Sequence, residues 1–189
     1  MTFQGRWSAA IGARVCVLLM VLWSSAVGLK DGGTVVTAAP EVLYAPEDKP
    51  ANRLVALYEG AQHTIYIATY GLTYPPVVKA LIAAKKRGVE VRVITDREKL
   101  DDRNQRAALD TLRLAGVPIK VNRHDGLMHM KQVVVDDRVN TSGSMNQTSS
   151  AALYNDERLD ILHDAASTQR AKEKFLKMWD DHTRYQDWR

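Results

Sequence analysis

The 189-residue sequence predicts an α/β fold, a mixed and mostly parallel β-sheet flanked by helices within one domain. Short β-branched and aromatic runs alternate with stretches whose apolar residues recur at helical spacing, as expected for strands joined by crossover helices. Glycine closes three of the helical stretches, at Gly60, Gly88 and Gly116. Apolar residues make up 46% and charged residues 25%, a globular composition in a chain too short for two full cores.

Residues 29–40, rich in Gly, Thr and Ala, are expected to form an irregular lead-in to a domain spanning 41–187. Residues 41–44 form a short strand candidate. Residues 49–60 read as a helix with Leu54, Leu57 and Tyr58 on one side. The run TIYIATY (64–70) predicts a strand. Residues 75–87 open with proline in the first helical turn, carry Val78, Leu81 and Ile82 at helical spacing, and end in Lys85-Lys86-Arg87, where the helix dipole favours cations. A strand follows at 89–95, a helix at 103–115 and a strand at 117–121. The second half then changes character: two strands (128–135 and 138–142) flank an Asp136-Asp137 turn, and 158–162 alternates as another. A helix from Ala165 to about Tyr185, with Phe175, Leu176, Met178 and Trp179 as its apolar side, closes the chain.

Residues 1–28 hold Arg6 and Arg14 ahead of an apolar run (15–23) and then small residues, Ser24-Ser25-Ala26-Val27-Gly28. A basic start, a short apolar core and a small-residue zone predict a secretory signal, cleaved after Ala26 or Gly28, and an exported protein, periplasmic or secreted, with no stable membrane insertion once cleaved. Cys16, the one cysteine, lies inside that run, so a disulfide framework and thiol chemistry are excluded from the remainder. The net charge of +4 falls to +2 without these residues, too little to argue for a polyanionic partner.

The chemistry concentrates in the second half. His129 and Lys131, two apart in a strand, share a face and set an imidazole beside a fixed cation. Asp136 is an odd number of positions from His129 and sits at a turn, so parity assigns it a supporting role. Ser144 and Asn146 again share a side, as neutral donors for phosphate oxygens, and Gly143 permits close backbone approach. Glu157 brings a carboxylate that could fix an imidazole tautomer.

H-x-K-x4-D, six residues, G-S-x-N and then N-x-E resembles the signature of the phospholipase D superfamily, in particular its small single-motif bacterial EDTA-resistant endonucleases. The resemblance implies a metal-independent phosphodiesterase with no cofactor, in which His129 attacks phosphorus to give a phosphohistidine. It implies that Lys131 and Asn146 hold phosphate oxygens, that Ser144 and Glu157 support the histidine, and that Asp136 belongs to the motif. Larger members carry the motif twice, whereas here His63, His124, His163 and His182 lack the lysine two residues on. A homodimer with the active site on its two-fold axis would supply a second His129 as the acid. DNA is the expected substrate, with RNA and phospholipid head groups as alternatives and a non-catalytic DNA-binding role as a third reading.

Other residues have plainer readings. Lys85-Lys86-Arg87 reads as a solvated helix end, Asp101-Asp102 and Asp180-Asp181 lack partners at metal-ligand spacing, and Tyr70, Tyr74 and Pro75-Pro76 read as core, with groove lining as the alternative. Arg123, just ahead of the motif, is a candidate substrate contact at the rim.

Overall fold

The computed structural model describes residues 38–189, so the predicted leader and most of the lead-in lie outside the described residues. The chain runs β1 (Glu41–Ala45), α1 (Pro50–Gly60), β2 (Thr64–Thr69), α2 (Pro75–Lys86), β3 (Glu90–Thr95), a 3₁₀ turn (Glu98–Asp101), α3 (Arg103–Leu114), β4 (Ile119–Asn122), β5 (Lys131–Val135), β6 (Val139–Gly143), α4 (Ser149–Leu153), β7 (Glu157–Leu162), α5 (Ala165–Asp180) and β8 (Tyr185–Asp187). One eight-stranded sheet results, ordered β1-β7-β6-β5-β2-β3-β4-β8.

The mixed sheet with flanking helices is as expected, but "mostly parallel" needs correction. Parallel pairing joins β2 to β3 and β3 to β4 only, and the other contacts are antiparallel. The reason is local: β5 and β6 are joined by a hairpin at Asp136 and Asp137, both with positive φ, and a hairpin can only reverse the chain. The final helix also stops earlier than its apolar stripe suggests. Asp181 accepts from the backbone N–H groups of Thr183 (3.1 Å) and Arg184 (3.0 Å), a turn that competes with helix, and Tyr185 then pairs with Asn122 as an edge strand.

The sheet buries both faces. Ile65 and Ile67 of β2, Val91 and Val93 of β3, and Val133 and Val135 of β5 pack on one side against Leu54, Tyr58, Leu81 and Leu109 of α1–α3. Tyr66, Ala68, Ile94 and Val134 point the other way, against Phe175 and Met178 of α5, and Phe175 stacks on Tyr66 at 5.0 Å. Each such valine, leucine, isoleucine, phenylalanine or methionine side chain contributes about 1.5–3 kcal/mol by leaving water.

The topology also decides where chemistry can sit. The C-terminal ends of β2, β3, β4 and β6 and the N-terminal ends of β5 and β7 all reach the same rim of the sheet. Tyr70, Lys99, Arg123, His129 and residues 143–157 therefore enter or leave the sheet on that rim. Asp136 and Asp137 lie at the opposite one.

Candidate active site

β5 begins at Lys131, opposite Thr69 of β2, and the Tyr70 N–H donates to the Met130 carbonyl (3.1 Å), extending the ladder past the strand end. His129 thus stands exposed just outside the strand expected to contain it, with Lys131 half-buried behind. The Lys131 ammonium lies 3.0 Å from Nδ1 and 3.1 Å from Nε2 of His129 and donates to the His129 carbonyl at 2.8 Å. The ring nitrogens flank one carbon, so a point this close to both lies over the imidazole face. Both nitrogens keep their in-plane directions free. Burial lowers the Lys131 pKa, and the Glu157 charge opposes that shift. The Tyr70 ring leans on the imidazole with centroids 4.7 Å apart, while Lys131 Nζ (5.3 Å) and Lys99 Nζ (5.0 Å) both approach the Tyr70 centroid. Burial, then the charges of Asp96 and Glu98, push the Tyr70 hydroxyl pKa up.

Gly143 has φ +144, and a Cβ there would meet the Arg158 carbonyl oxygen at 2.1 Å. Only glycine lets β6 pass this close to β7. The next residue profits: Ser144 N–H donates to that carbonyl (3.0 Å), Ser144 Oγ accepts from the Arg158 N–H (3.1 Å), and Ser144 Oγ donates to Glu157 Oε2. Asn155 Nδ2 donates to the other carboxylate oxygen at 3.2 Å. Glu157 is therefore held by Ser144 and Asn155; it acts on Lys131 through its charge and makes no hydrogen bond to His129 in this chain.

Asn146 Oδ1 accepts from the Gly71 N–H (3.2 Å), which orients the amide and leaves its NH2 group to donate elsewhere. A Cβ on Gly71 would lie 2.8 Å from the Thr148 methyl, so a larger residue there would have to displace that side chain. Beneath it, buried Gln105 accepts from the Leu72 N–H (2.7 Å) and donates to Thr95 Oγ1 (3.0 Å). The fully buried Asp96 accepts from the backbone N–H groups of Glu98 (2.8 Å) and Met128 (2.5 Å), tying the Lys99 turn to the residue before His129. Among the described residues no three His, Cys, Asp or Glu side chains are grouped as metal ligands.

A domain family described as "Cardiolipin synthase, PLD-like domain" matches residues 54–179, which spans His129, Lys131, Asn146 and Glu157. The chain belongs to the phospholipase D superfamily. It is 30% identical over 135 residues to the mitochondrial cardiolipin hydrolase of Xenopus laevis, covering 71% of this chain and 63% of that protein. It is also 31% identical over 119 residues to a phospholipase D of Rickettsia conorii, covering 63% and 56%. The chain thus spans less than two thirds of the length of these relatives. A solved phospholipase D family member, Nuc from Salmonella typhimurium, superposes with TM-score 0.72 at 30% identity, covering 80% of this chain and 98% of that one.

Within this phospholipase D-like chain, His129, Lys131, Ser144, Asn146 and Glu157 come together on one rim, and Asp136 does not join them. Its carboxylate accepts from the N–H groups of Gln62 (2.8 Å), His63 (2.7 Å) and Thr64 (2.9 Å), stapling the α1–β2 connection to the β5–β6 hairpin. Burial works against its ionisation, but these three donors outweigh it and lower the pKa. Grouping Asp136 with the catalytic residues is corrected accordingly: β5 carries it to the far rim. Arg123 is exposed just beyond β4, its N–H donating to the Arg184 carbonyl (2.7 Å), and nothing couples its side chain to His129.

Tyr70, expected in the core, is instead the wall beside His129. Its position after a strand that ends on the functional rim was the available signal. Gly71 and Lys99 carried no motif and escaped sequence reasoning, while Asn155 stood in the N-x-E element without a role of its own. Two hollows open from the site. One, about 1110 Å³, runs past Gly71, Asn146 and Asn155 over an apolar floor that includes Pro75, Pro76 and Ile82. The other, about 490 Å³, lies between His129, Lys131 and the flank of α5.

Proposed function

We propose that this chain is a metal-independent phosphodiesterase that cleaves nucleic acid, DNA foremost, as a homodimer with both copies of His129 facing one phosphate. The observation that carries the reading is the Lys131 ammonium over the His129 face beside the orienting Asn146 amide. That arrangement supplies a nucleophile with a free nitrogen, a cation and a neutral donor for the phosphate oxygens.

In the first step a His129 nitrogen attacks phosphorus, the P–O bond to the leaving group breaks, and His129 of the second copy donates the proton that the departing oxygen takes. Water then attacks phosphorus, the P–N bond breaks, and its proton returns to the second histidine. Diester and water become monoester and alcohol. The two imidazoles work in opposite protonation states, one attacking and the other donating. Lys131 from each copy offsets the phosphate charge, the work a metal ion performs in other phosphodiesterases. Glu157, set by Ser144 and Asn155, supports the cation electrostatically. An exported location, periplasmic or extracellular, fits the leader read in residues 1–28.

Phospholipid head groups are the second reading, favoured by the apolar floor of the larger hollow and by the names of the cardiolipin hydrolase and phospholipase D relatives. The deciding experiment assays purified protein in excess EDTA on plasmid DNA and on phosphatidylcholine vesicles in parallel, alongside His129→Ala. Nicking with intact vesicles, abolished in His129→Ala, supports the proposal. Vesicle hydrolysis alone selects the lipase, and loss of all activity on chelation refutes the metal-free mechanism.

A further inference from the structure

Resting on the nuclease reading, we infer that the hollow between β6 and α5 binds a second phosphate, the one next to the scissile diester along a nucleic-acid strand. His129 and Lys131 themselves line this hollow, so its occupant is contiguous with the reacting phosphorus. Its other wall is the exposed flank of α5, where Arg170 and Lys174 stand four residues apart, one helical turn, and project side by side. Neither enters an ion pair among the described residues, and no Asp or Glu lines the hollow. Three cations facing one space without a carboxylate repel one another until an anion neutralises them.

The edge of the hollow is rigid and spends its own donors internally, so the cations alone meet the anion. Ser167 sits at its edge, held by buried Asn140, whose Nδ2 donates to Ser167 Oγ (3.0 Å) and Thr168 Oγ1 (2.9 Å). Asp164, the cap of α5, is committed to the Ser167 N–H (2.6 Å). The Ser167 hydroxyl in turn donates to the Asp164 carbonyl (3.1 Å), so this edge is fixed before any ligand arrives. Met130, Leu162 and Ala171 are the apolar lining, a surface with little to offer an acyl chain. One phosphate is held by Lys131 and Asn146; the hollow adds a place for the next one, which a polymer always provides.

The test is the double variant Arg170→Ala/Lys174→Ala, assayed on bis(p-nitrophenyl) phosphate, on a single-stranded oligodeoxynucleotide and on cardiolipin vesicles. Both side chains are exposed, and hydrolysis of the chromogenic diester reports whether the variant is folded. The ratio of kcat/KM on the oligonucleotide to that on the chromogenic diester should fall at least about ten-fold, mainly through KM. The log–log salt dependence of oligonucleotide binding should flatten by about 1.4, the value for two lost phosphate contacts on a single strand. The wild-type protein should prefer a trinucleotide with two diesters to a dinucleotide with one by a similar factor. An unchanged ratio in a protein that cuts DNA overturns the inference and leaves the nuclease reading standing. A loss confined to cardiolipin, which carries two phosphates on one lipid, also overturns it. A wild-type protein that hydrolyses the chromogenic diester but no nucleic acid removes both.

Discussion

Replacing Gly143 by alanine tests the architecture of the site at one atom. The added Cβ would sit 2.1 Å from the Arg158 carbonyl oxygen, 0.9 Å inside the 3.0 Å limit that real Cβ contacts respect, and the obstacle is backbone that no rotamer change can move. Holding a non-glycine residue at φ +144 costs about 1–3 kcal/mol. Moving β7 away stretches the two hydrogen bonds that the Arg158 carbonyl accepts, from Ser144 N–H (3.0 Å) and Met145 N–H (3.4 Å), each contributing about 0.5–1.5 kcal/mol. The total, about 2–6 kcal/mol, is a large part of an ordinary domain's 5–15 kcal/mol. Urea denaturation followed by circular dichroism should show the midpoint falling with little change in slope. Below the new midpoint, kcat should fall by about a hundred-fold, because the displacement moves Ser144 and Glu157 by nearly an ångström. A Gly143→Ala protein with wild-type midpoint and wild-type kcat would refute the claim that this glycine sets the β6–β7 approach.

Asp136→Ala should cost about 1–3 kcal/mol in denaturant, since the N–H of half-buried Thr64 loses its acceptor and alanine disfavours φ +52, while kcat at a temperature where the variant is folded stays at the wild-type level. Asp136→Asn keeps an oxygen acceptor and tolerates that φ, so it should cost less. Glu41 accepts two 2.7 Å bonds from Arg53 and pairs with His163; the Arg53 bonds foremost lower its pKa to about 2. Its contribution is complete above pH 4.5 and lost as pH falls toward about 2, so Glu41→Gln should flatten the acid limb of a thermal-stability profile over that window. Tyr70→Ala should lower kcat by about ten- to a hundred-fold by freeing the His129 ring, and Tyr70→Phe should recover most of it; equal losses in both would assign the effect to the hydroxyl. Because burial lowers the Lys131 pKa, weakening of phosphate binding, read as a rise in KM with pH, should begin below the ordinary lysine range, and Lys131→Arg should move that onset upward.

The parts of the fold legible in sequence are those dictated by periodicity. Ile65 and Ile67 against Tyr66 and Ala68 separate cleanly onto two faces, and Pro75 and Gly88 mark helix ends as their backbone chemistry requires. What stayed hidden depends on partners distant in sequence. Nothing near Tyr185 announces a strand, because its ladder is completed by Asn122. Tyr70 alternates as a buried strand residue would, and only the neighbours brought by β5 and the 3₁₀ turn make it part of the site. That His129, Lys131, Ser144, Asn146 and Glu157 share one rim was legible because their spacing is local to two hairpin-linked strands and the segment after them. Parity alone separated Asp136 from that set.

The placement of Asp136 opposite His129 has a practical corollary. A single strand of five residues has its reactive end and its anchoring end on opposite edges of the molecule. Tethers, fusions or rigidifying substitutions introduced near the Asp137 tip could raise thermal endurance or fix the protein to a support while the reacting edge still faces solution, so durability and turnover can be engineered separately.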